Sequence, residues 1–262
     1  MKSLKPILES TYKLYHKPEN MRLDPLLCVH GFKSVRDTEI AAFLAASLAY
    51  GRAEIIIRNV NTLLEKMSGK PYAFAMETSY REKTALLDGF KHRFNSAADI
   101  ALLLEALAEC IRRYGSVEEL FVSADNNCFV KDGLEHLTCE LKRIARTVTH
   151  KVPDSFNYLL PSPSSGSACK RLNMFLRWMV RKDDGIDFGI WKKIVPSALI
   201  MPVDTHVARI GRELGLTRRN TADWRMAEEI TGALRKYDPD DPVRYDFSLC
   251  RAGMFSFRKD AA

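Results

Sequence analysis

The chain has 262 residues, 46% of them hydrophobic and 28% charged, enough for one large or two modest domains and inconsistent with extensive disorder. Forty Lys and Arg against 33 Asp and Glu leave a formal charge of +7, which suits a polyanion but is too thinly spread to assign a partner by itself. The longest apolar run, near Ala41–Tyr50, is about half of what a bilayer crossing needs. Lys2, Lys5 and Glu9 stand where a signal peptide keeps an apolar stretch. The expectation is a cytoplasmic chain with no membrane association. Its six cysteines (Cys28, Cys110, Cys128, Cys139, Cys169, Cys250) contain no CxxC, and its six histidines no HExxH. Reduced thiols and no metal centre are therefore expected.

Helical periodicity dominates the chain. Ser34-x-x-Asp37 reads as a capping box before an apolar stripe of Ile40, Phe43, Leu44, Ser47 and Leu48 that stops at Gly51. A second helix from Ala53 to Ser68 carries Ile56, Val60, Leu63, Leu64 and Met67 on one face and ends at Gly69. Asp99 is expected to open a third, through Ile100, Leu103, Leu104, Leu107 and Ile111 to Gly115. Ser116-x-x-Glu119 signals another start, and Leu134, Leu137, Leu141 and Ile144 mark one more amphipathic helix. No convincing strand alternation occurs, so the fold class is all-α, built by packing helix on helix. Pro153–Ser167 reads as a structured turn, and Lys182–Pro202 as a loop with a short helical turn around Trp191. Between them lies a helix from about Ala168 to Arg181, and another begins at Asp204.

The helix after the serine-rich turn presents Leu172, Phe175, Leu176, Met179 and Val180 on its apolar face and Lys170, Asn173, Arg177 and Arg181 on the opposite one. That basic stripe reads either as a solvated face or as a phosphate-facing one. Small residues before a helix leave N–H groups free to point at an anion. A lysine in the first turn has its protonated form disfavoured by the helix dipole and by Arg171, which favours an amine nucleophile. The second feature is Pro202-Val203-Asp204-Thr205-His206-Val207-Ala208-Arg209. Asp204 suits an N-cap, and a carboxylate fixed at a helix N-terminus also suits the stabilisation of a developing sugar cation.

These residues together resemble the helix-hairpin-helix DNA glycosylase superfamily. The likeness rests on a turn, a helix with an early lysine, a Gly/Pro-containing loop and then PVDTHVARIGRELGL. The chain as a whole looks more like a bacterial family of unknown function, through EIAAFLAASLAYGR, KRLNMFLRWMVR, PVDTHVARI and DPVRYDFSLCRAG. The superfamily resemblance implies a two-lobed helical bundle with a cleft, spanning 1–262 as one unit with its catalytic segment at about 154–216. It also implies a DNA base-excision glycosylase with abasic-site lyase activity, needing no cofactor and acting as a monomer on double-stranded DNA with a damaged base. Lys170 would be the imine-forming nucleophile and Asp204 the assisting carboxylate. The 34 positions from Lys170 to Asp204 resemble the archaeal 8-oxoguanine glycosylase branch, which makes an oxidised purine the expected base. Ser164, Ser165, Gly166 and Ser167, with Arg171, Arg177 and Arg209, would hold phosphates.

Some assignments stay open. His206 fits packing or a pocket role. Trp178, Trp191 and Trp224 fit the core or base stacking, with Trp191 the best placed for the latter. Gly89-Phe90-Lys91-His92-Arg93-Phe94 is a basic-aromatic run that reads as a solvated loop or a DNA contact. Residues 162–219 hold 11 Lys and Arg against 5 Asp and Glu, or +6 of the chain's +7, which favours a local phosphate-binding face. A non-catalytic DNA- or RNA-binding module of the same fold is the alternative function.

Overall fold

A computed structural model describes residues 4–124 and 130–259; Cys128 lies outside them. The protein is all-α apart from one short hairpin, and it divides into two compact units, Leu23–Ser162 and Met1–Arg22 joined with Pro163–Ala262. The division falls inside the segment 154–216 expected to carry the chemistry. Among the described residues, no helix is long and apolar enough to cross a membrane.

After α1 (Lys5–Tyr15), which belongs to the discontinuous unit, the continuous unit runs α2 (Val35–Ser47), α3 (Ala53–Lys66), α4 (Pro71–Glu77), α5 (Tyr80–Leu86), α6 (Ala97–Tyr114), α7 (Val117–Val122), α8 (Val130–Val148) and α9 (Asp154–Leu159). A hairpin of β1 (Lys91–His92) and β2 (Asn95–Ser96) precedes α6, pairing Lys91 with Ser96 and His92 with Asn95. From Thr38 to Ser47 every residue of α2 is buried, because a helix apolar on all sides must be surrounded. Ser34 Oγ accepts from the Asp37 N–H at 3.3 Å, but Asp37 Oδ1 accepts from the Tyr72 N–H at 3.0 Å. The expected box is thus half formed, its second arm spent on tethering α4. Asp99 does not open α6. It sits in the first turn, where Oδ2 accepts from the Ser96 N–H at 2.8 Å, so the helix starts two residues before it. The expected Pro153–Ser167 turn contains α9, a full helical turn that a Pro/Ser-rich reading overlooks.

In the other unit follow α10 (Lys170–Val180), α11 (Thr205–Glu213), α12 (Trp224–Arg235) and α13 (Asp246–Lys259). Leu8 of α1, Met201, Val203, Val207, Ile210, Met226, Ile230, Leu234 and Leu249 form a core shared by α1, α11, α12 and α13. α11 and α13 cross closely because Gly253 has no side chain; a Cβ there would meet Ile210 Cδ1 at 3.0 Å and His206 Cβ at 3.2 Å. Every residue of α10 from Arg171 to Val180 is buried, so on the predicted polar face Asn173, Arg177 and Arg181 do not meet solvent and only Lys170 is half-buried. The following loop folds back along it, with Phe188 N–H donating to Trp178 O at 2.8 Å and Trp191 N–H to Met179 O at 2.8 Å. Its short helical turn is a 3-10 turn at Pro196–Ala198 rather than around Trp191, whose backbone is instead held by that bond to α10.

The fold-back turns on Gly189, whose φ is +57° and whose absent Cβ would lie 2.7 Å from Arg181 O and 2.9 Å from Lys182 Cα. A left-handed backbone and a backbone neighbour both oppose any side chain there. Gly189→Ala is expected to lower stability by about 2–4 kcal/mol in urea unfolding, whereas Gly232→Ala, with nothing within 4 Å of its Cβ, is expected to be neutral or slightly stabilising.

Candidate active site

α10 begins on an unusual residue. Cys169, fully buried, has φ +47° and ψ +36°, a left-handed conformation that a non-glycine residue holds only when its surroundings enforce it. Three hydrogen bonds enforce it here. Ser167 Oγ accepts from the Cys169 N–H at 3.1 Å, Asn173 N–H donates to Cys169 O at 2.9 Å, and Asn173 Nδ2 donates to Ala168 O at 3.0 Å. Lys170 is therefore placed at the first position of a helix that lacks a side-chain cap. Its side chain is half-buried, and its amine makes no hydrogen bond or ion pair among the described residues. One turn along, Asn173 Oδ1 is buried with no hydrogen-bond partner, leaving a polar acceptor on the lysine's side of the helix.

Asp204 caps α11 as expected: Oδ1 accepts from the His206 and Val207 N–H groups, both at 2.9 Å. Oδ2 makes no hydrogen bond among the described residues, so one oxygen orients the group and the other is available. Lys170 and Asp204 share a neighbourhood, since both charges act on Asp246 and on Cys250 of α13. Asp246 is a site residue that the sequence reading missed. Burial raises its carboxyl to about 6, against the lowering effect of Arg177 and of Lys170 and with a further push from Asp204. Burial, with Asp204 and Asp246 beyond it, pushes the Cys250 thiol up to about 12, which keeps it protonated and unreactive at neutral pH. The one available sign was a carboxylate and a thiol four apart inside the apolar run Tyr245–Cys250.

Several expected phosphate contacts are corrected. Arg177 is 3% exposed and donates Nε to Asp187 Oδ1 at 3.1 Å and Nη1 to Asp246 Oδ2 at 2.5 Å. Arg171 is likewise buried. Arg181, 2% exposed, pairs with Asp187, with Asp241 at 2.8 Å and with Asp184 at 3.3 Å. The physical reason is that four aspartates, two of them outside 162–219, draw the arginines inward. Arg177 and Arg181 thus serve internal neutralisation, while Lys182, Lys192, Lys193, Arg212 and Arg218 of the same segment are exposed. Arg209 spans from Glu213 Oε1 at 2.7 Å to Gly253 O at 3.1 Å, tying α11 to α13. Trp191, left open between core and base stacking, is core: it is 3% exposed and packs edge-on against Phe175, ring centroids 5.3 Å apart. Ser164, Ser165 and Gly166 are exposed, while Ser167 is half-buried and bridges to Asp223. His206 is half-buried at the α11–α13 crossing. Among the described residues, no three or more His, Cys, Asp or Glu side chains gather as a metal site requires.

Asp184 shows how tightly this network holds its charges. Burial acts to raise it, but the hydrogen bond from His16 at 2.8 Å and the charge of Arg181 outweigh that and hold it well below the usual carboxylate range. A family model described as a protein of unknown function (DUF2400) matches residues 24–255, and the chain belongs to that family. No curated protein and no solved structure matches it.

Two outcomes follow from the buried charges. Arg177→Met strands Asp187 and Asp246 without a common partner and is expected to cost about 3–5 kcal/mol in urea unfolding; an arginine serving phosphate alone would leave stability unchanged. Asp246 binds its proton more tightly folded than unfolded, so its contribution to stability is full below about pH 4 and is lost as pH rises to about 6. Asp246→Asn is expected to remove that decline, worth on the order of 3 kcal/mol, when unfolding is measured across pH 4–7.

Proposed function

We propose that this DUF2400 protein is a DNA base-excision glycosylase with abasic-site lyase activity, using Lys170 as an imine-forming nucleophile and Asp204 as the assisting carboxylate. One observation carries the reading: an unpaired, half-buried lysine amine and a fixed carboxylate with one uncommitted oxygen act on the same buried groups. Two buried basic side chains on the same helix, Arg177 and Arg181, are by contrast already paired with carboxylates. The likeness of PVDTHVARIGRELGL to the helix-hairpin-helix glycosylases and the 34-position spacing of Lys170 and Asp204 support the same chemistry and make 8-oxoguanine the first base to test.

In this mechanism a damaged nucleotide is flipped from the duplex, at a cost of a few kcal/mol that is lowest where pairing is already weakened. The neutral Lys170 amine attacks the anomeric carbon as the base departs with the electrons of the C1′–N bond. Asp204 stabilises the oxocarbenium-like charge that develops between those events. The attacking nitrogen gives one proton to the departing base and a second to the ring oxygen as the C1′–O4′ bond breaks, which leaves the imine. Loss of a C2′ proton then expels the 3′ phosphate by β-elimination. The uncapped start of α10 is a feature suited to a phosphate, because the positive end of a helix dipole favours an anion.

Borohydride trapping on duplexes carrying 8-oxoguanine or an abasic site tests the proposal. Wild-type protein is expected to form a covalent adduct that Lys170→Gln abolishes. Asp204→Asn is the discriminating second variant, because asparagine caps a helix as well as aspartate does; it is expected to keep the fold and slow the adduct roughly 100-fold. An adduct undiminished in Lys170→Gln would overturn the mechanism. Salt-sensitive DNA binding with no base release and no adduct would assign the chain to non-catalytic nucleic-acid binding instead.

A further inference from the structure

The basic-aromatic run at Gly89–Phe94 takes no part in the Lys170 chemistry, yet the continuous unit builds it with care. β1 and β2 point His92 and Asn95 inward and leave Lys91, Arg93 and Phe94 outside. Asn59 Nδ2 donates to His92 Nδ1 at 2.9 Å, and His92 Nε2 in turn donates to Tyr50 O at 3.1 Å. The Tyr50 hydroxyl donates to Asn95 Oδ1 at 2.5 Å, while Asn95 Nδ2 donates to Ser155 O at 2.6 Å. This network anchors three rings against one another. Tyr50 lies parallel to Phe94, centroids 6.1 Å apart at 4°, and Tyr158 stands edge-on to both, at 5.0 Å from Tyr50 and 5.3 Å from Phe94.

The outer faces of that cluster are left in solvent. Phe94 is 57% exposed and Tyr158 44%. Arg93 has φ +54°, a strained backbone for a side-chain-bearing residue, and its guanidinium lies over the rings of Phe94 at 5.4 Å and Tyr50 at 6.0 Å. Gly51 makes room for this arginine: a Cβ there would sit 3.3 Å from Arg93 Cδ. Arg52 and Lys91 are also exposed, and no carboxylate occurs from Gly89 to Ala98. Rigid exposed rings, a guanidinium stacked on them and flanking cations are the parts from which single-stranded nucleic acids are bound, since every base has a π-face and every step a phosphate.

We propose that Phe94 and Tyr158, with Arg93, Lys91 and Arg52, form a stacking platform for unpaired bases of single-stranded nucleic acid. The site lies wholly within the continuous unit and is independent of the imine chemistry, because a lesion-free strand forms no adduct at Lys170. The charge decides between partners: an apolar protein surface would match the rings but would bury the cations without compensation.

The experiment is fluorescence anisotropy of the full chain with labelled deoxythymidylate and uridylate strands of about twelve nucleotides, across a salt series. The double substitution Phe94→Ala with Tyr158→Ala is expected to weaken binding by about 5- to 100-fold with an unchanged salt slope. Phe94→Trp is expected to keep it. Lys91→Gln with Arg52→Gln is expected to flatten the salt slope. The two strand types separate DNA from RNA as the source of the bases. Equal affinity in the aromatic double variant, its fold verified by circular dichroism, would overturn the proposal. So would concentration-dependent self-association that the same variant abolishes while strand binding stays unchanged, which would make the patch a protein interface.

Discussion

Two arginines that reach the interior decide the architecture of the Lys170 unit. Arg177 and Arg181 lie one turn apart on α10 and are surrounded by Asp184, Asp187, Asp241 and Asp246. A buried guanidinium without carboxylates would be prohibitively costly, so each aspartate is bound to a fixed position by electrostatics, and each brings its segment with it. Asp184 and Asp187 hold the loop after α10, and Asp246 holds the start of α13. Asp241 holds the turn before it. His16, bonded to Asp184, connects the end of α1 to the same network. Helix packing alone would leave these segments free to slide; the charges set their register.

The candidate site is a by-product of this arrangement. Asp246 is drawn to Arg177, and in that position it also feels Lys170 and Asp204. Gly253 lets α11 approach α13, so Asp204 at the start of α11 stays near Asp246, two turns away from the crossing. The left-handed Cys169 aims the first turn of α10, where the amine of Lys170 is left without a partner. An unpaired amine within a ring of committed charges is the feature that separates Lys170 from its basic neighbours. On the same helix the buried Arg177 and Arg181 are both paired with carboxylates, and that contrast is what motivates the proposed role of Lys170.

The continuous unit uses polar interactions differently. Its ion pair between Lys83 and Glu105 is structural, with burial lowering the lysine and the glutamate opposing that. The Asn59–His92–Tyr50–Asn95 chain is built from neutral groups, and it stiffens a hairpin too short to be stable by itself. What such a chain supports is a surface rather than a cleft, which is why its aromatic residues can be both fixed and exposed.

By itself the sequence determined the helices and the local chemistry at their ends. The stripes of α3 and α8, the stop at Gly115, the cap at Asp204 and the placement of Lys170 in a first turn all follow from interactions within four or five residues. Tertiary structure decided which charges face solvent, because that depends on partners far along the chain. Arg177 and Arg181 read as a basic stripe until Asp246 and Asp241, 69 and 60 positions away from their respective partners, are brought alongside. Little in its local sequence marks Asp246, whose bond to Arg177 and exposure to the charges of Lys170 and Asp204 depend on segments far along the chain. The same holds for Trp191, which the sequence leaves open between core and base stacking and which the fold-back bonded to Met179 puts in the core. A helical period specifies a face but not its neighbour, and for charged residues the neighbour determines whether the face is a binding surface or the interior.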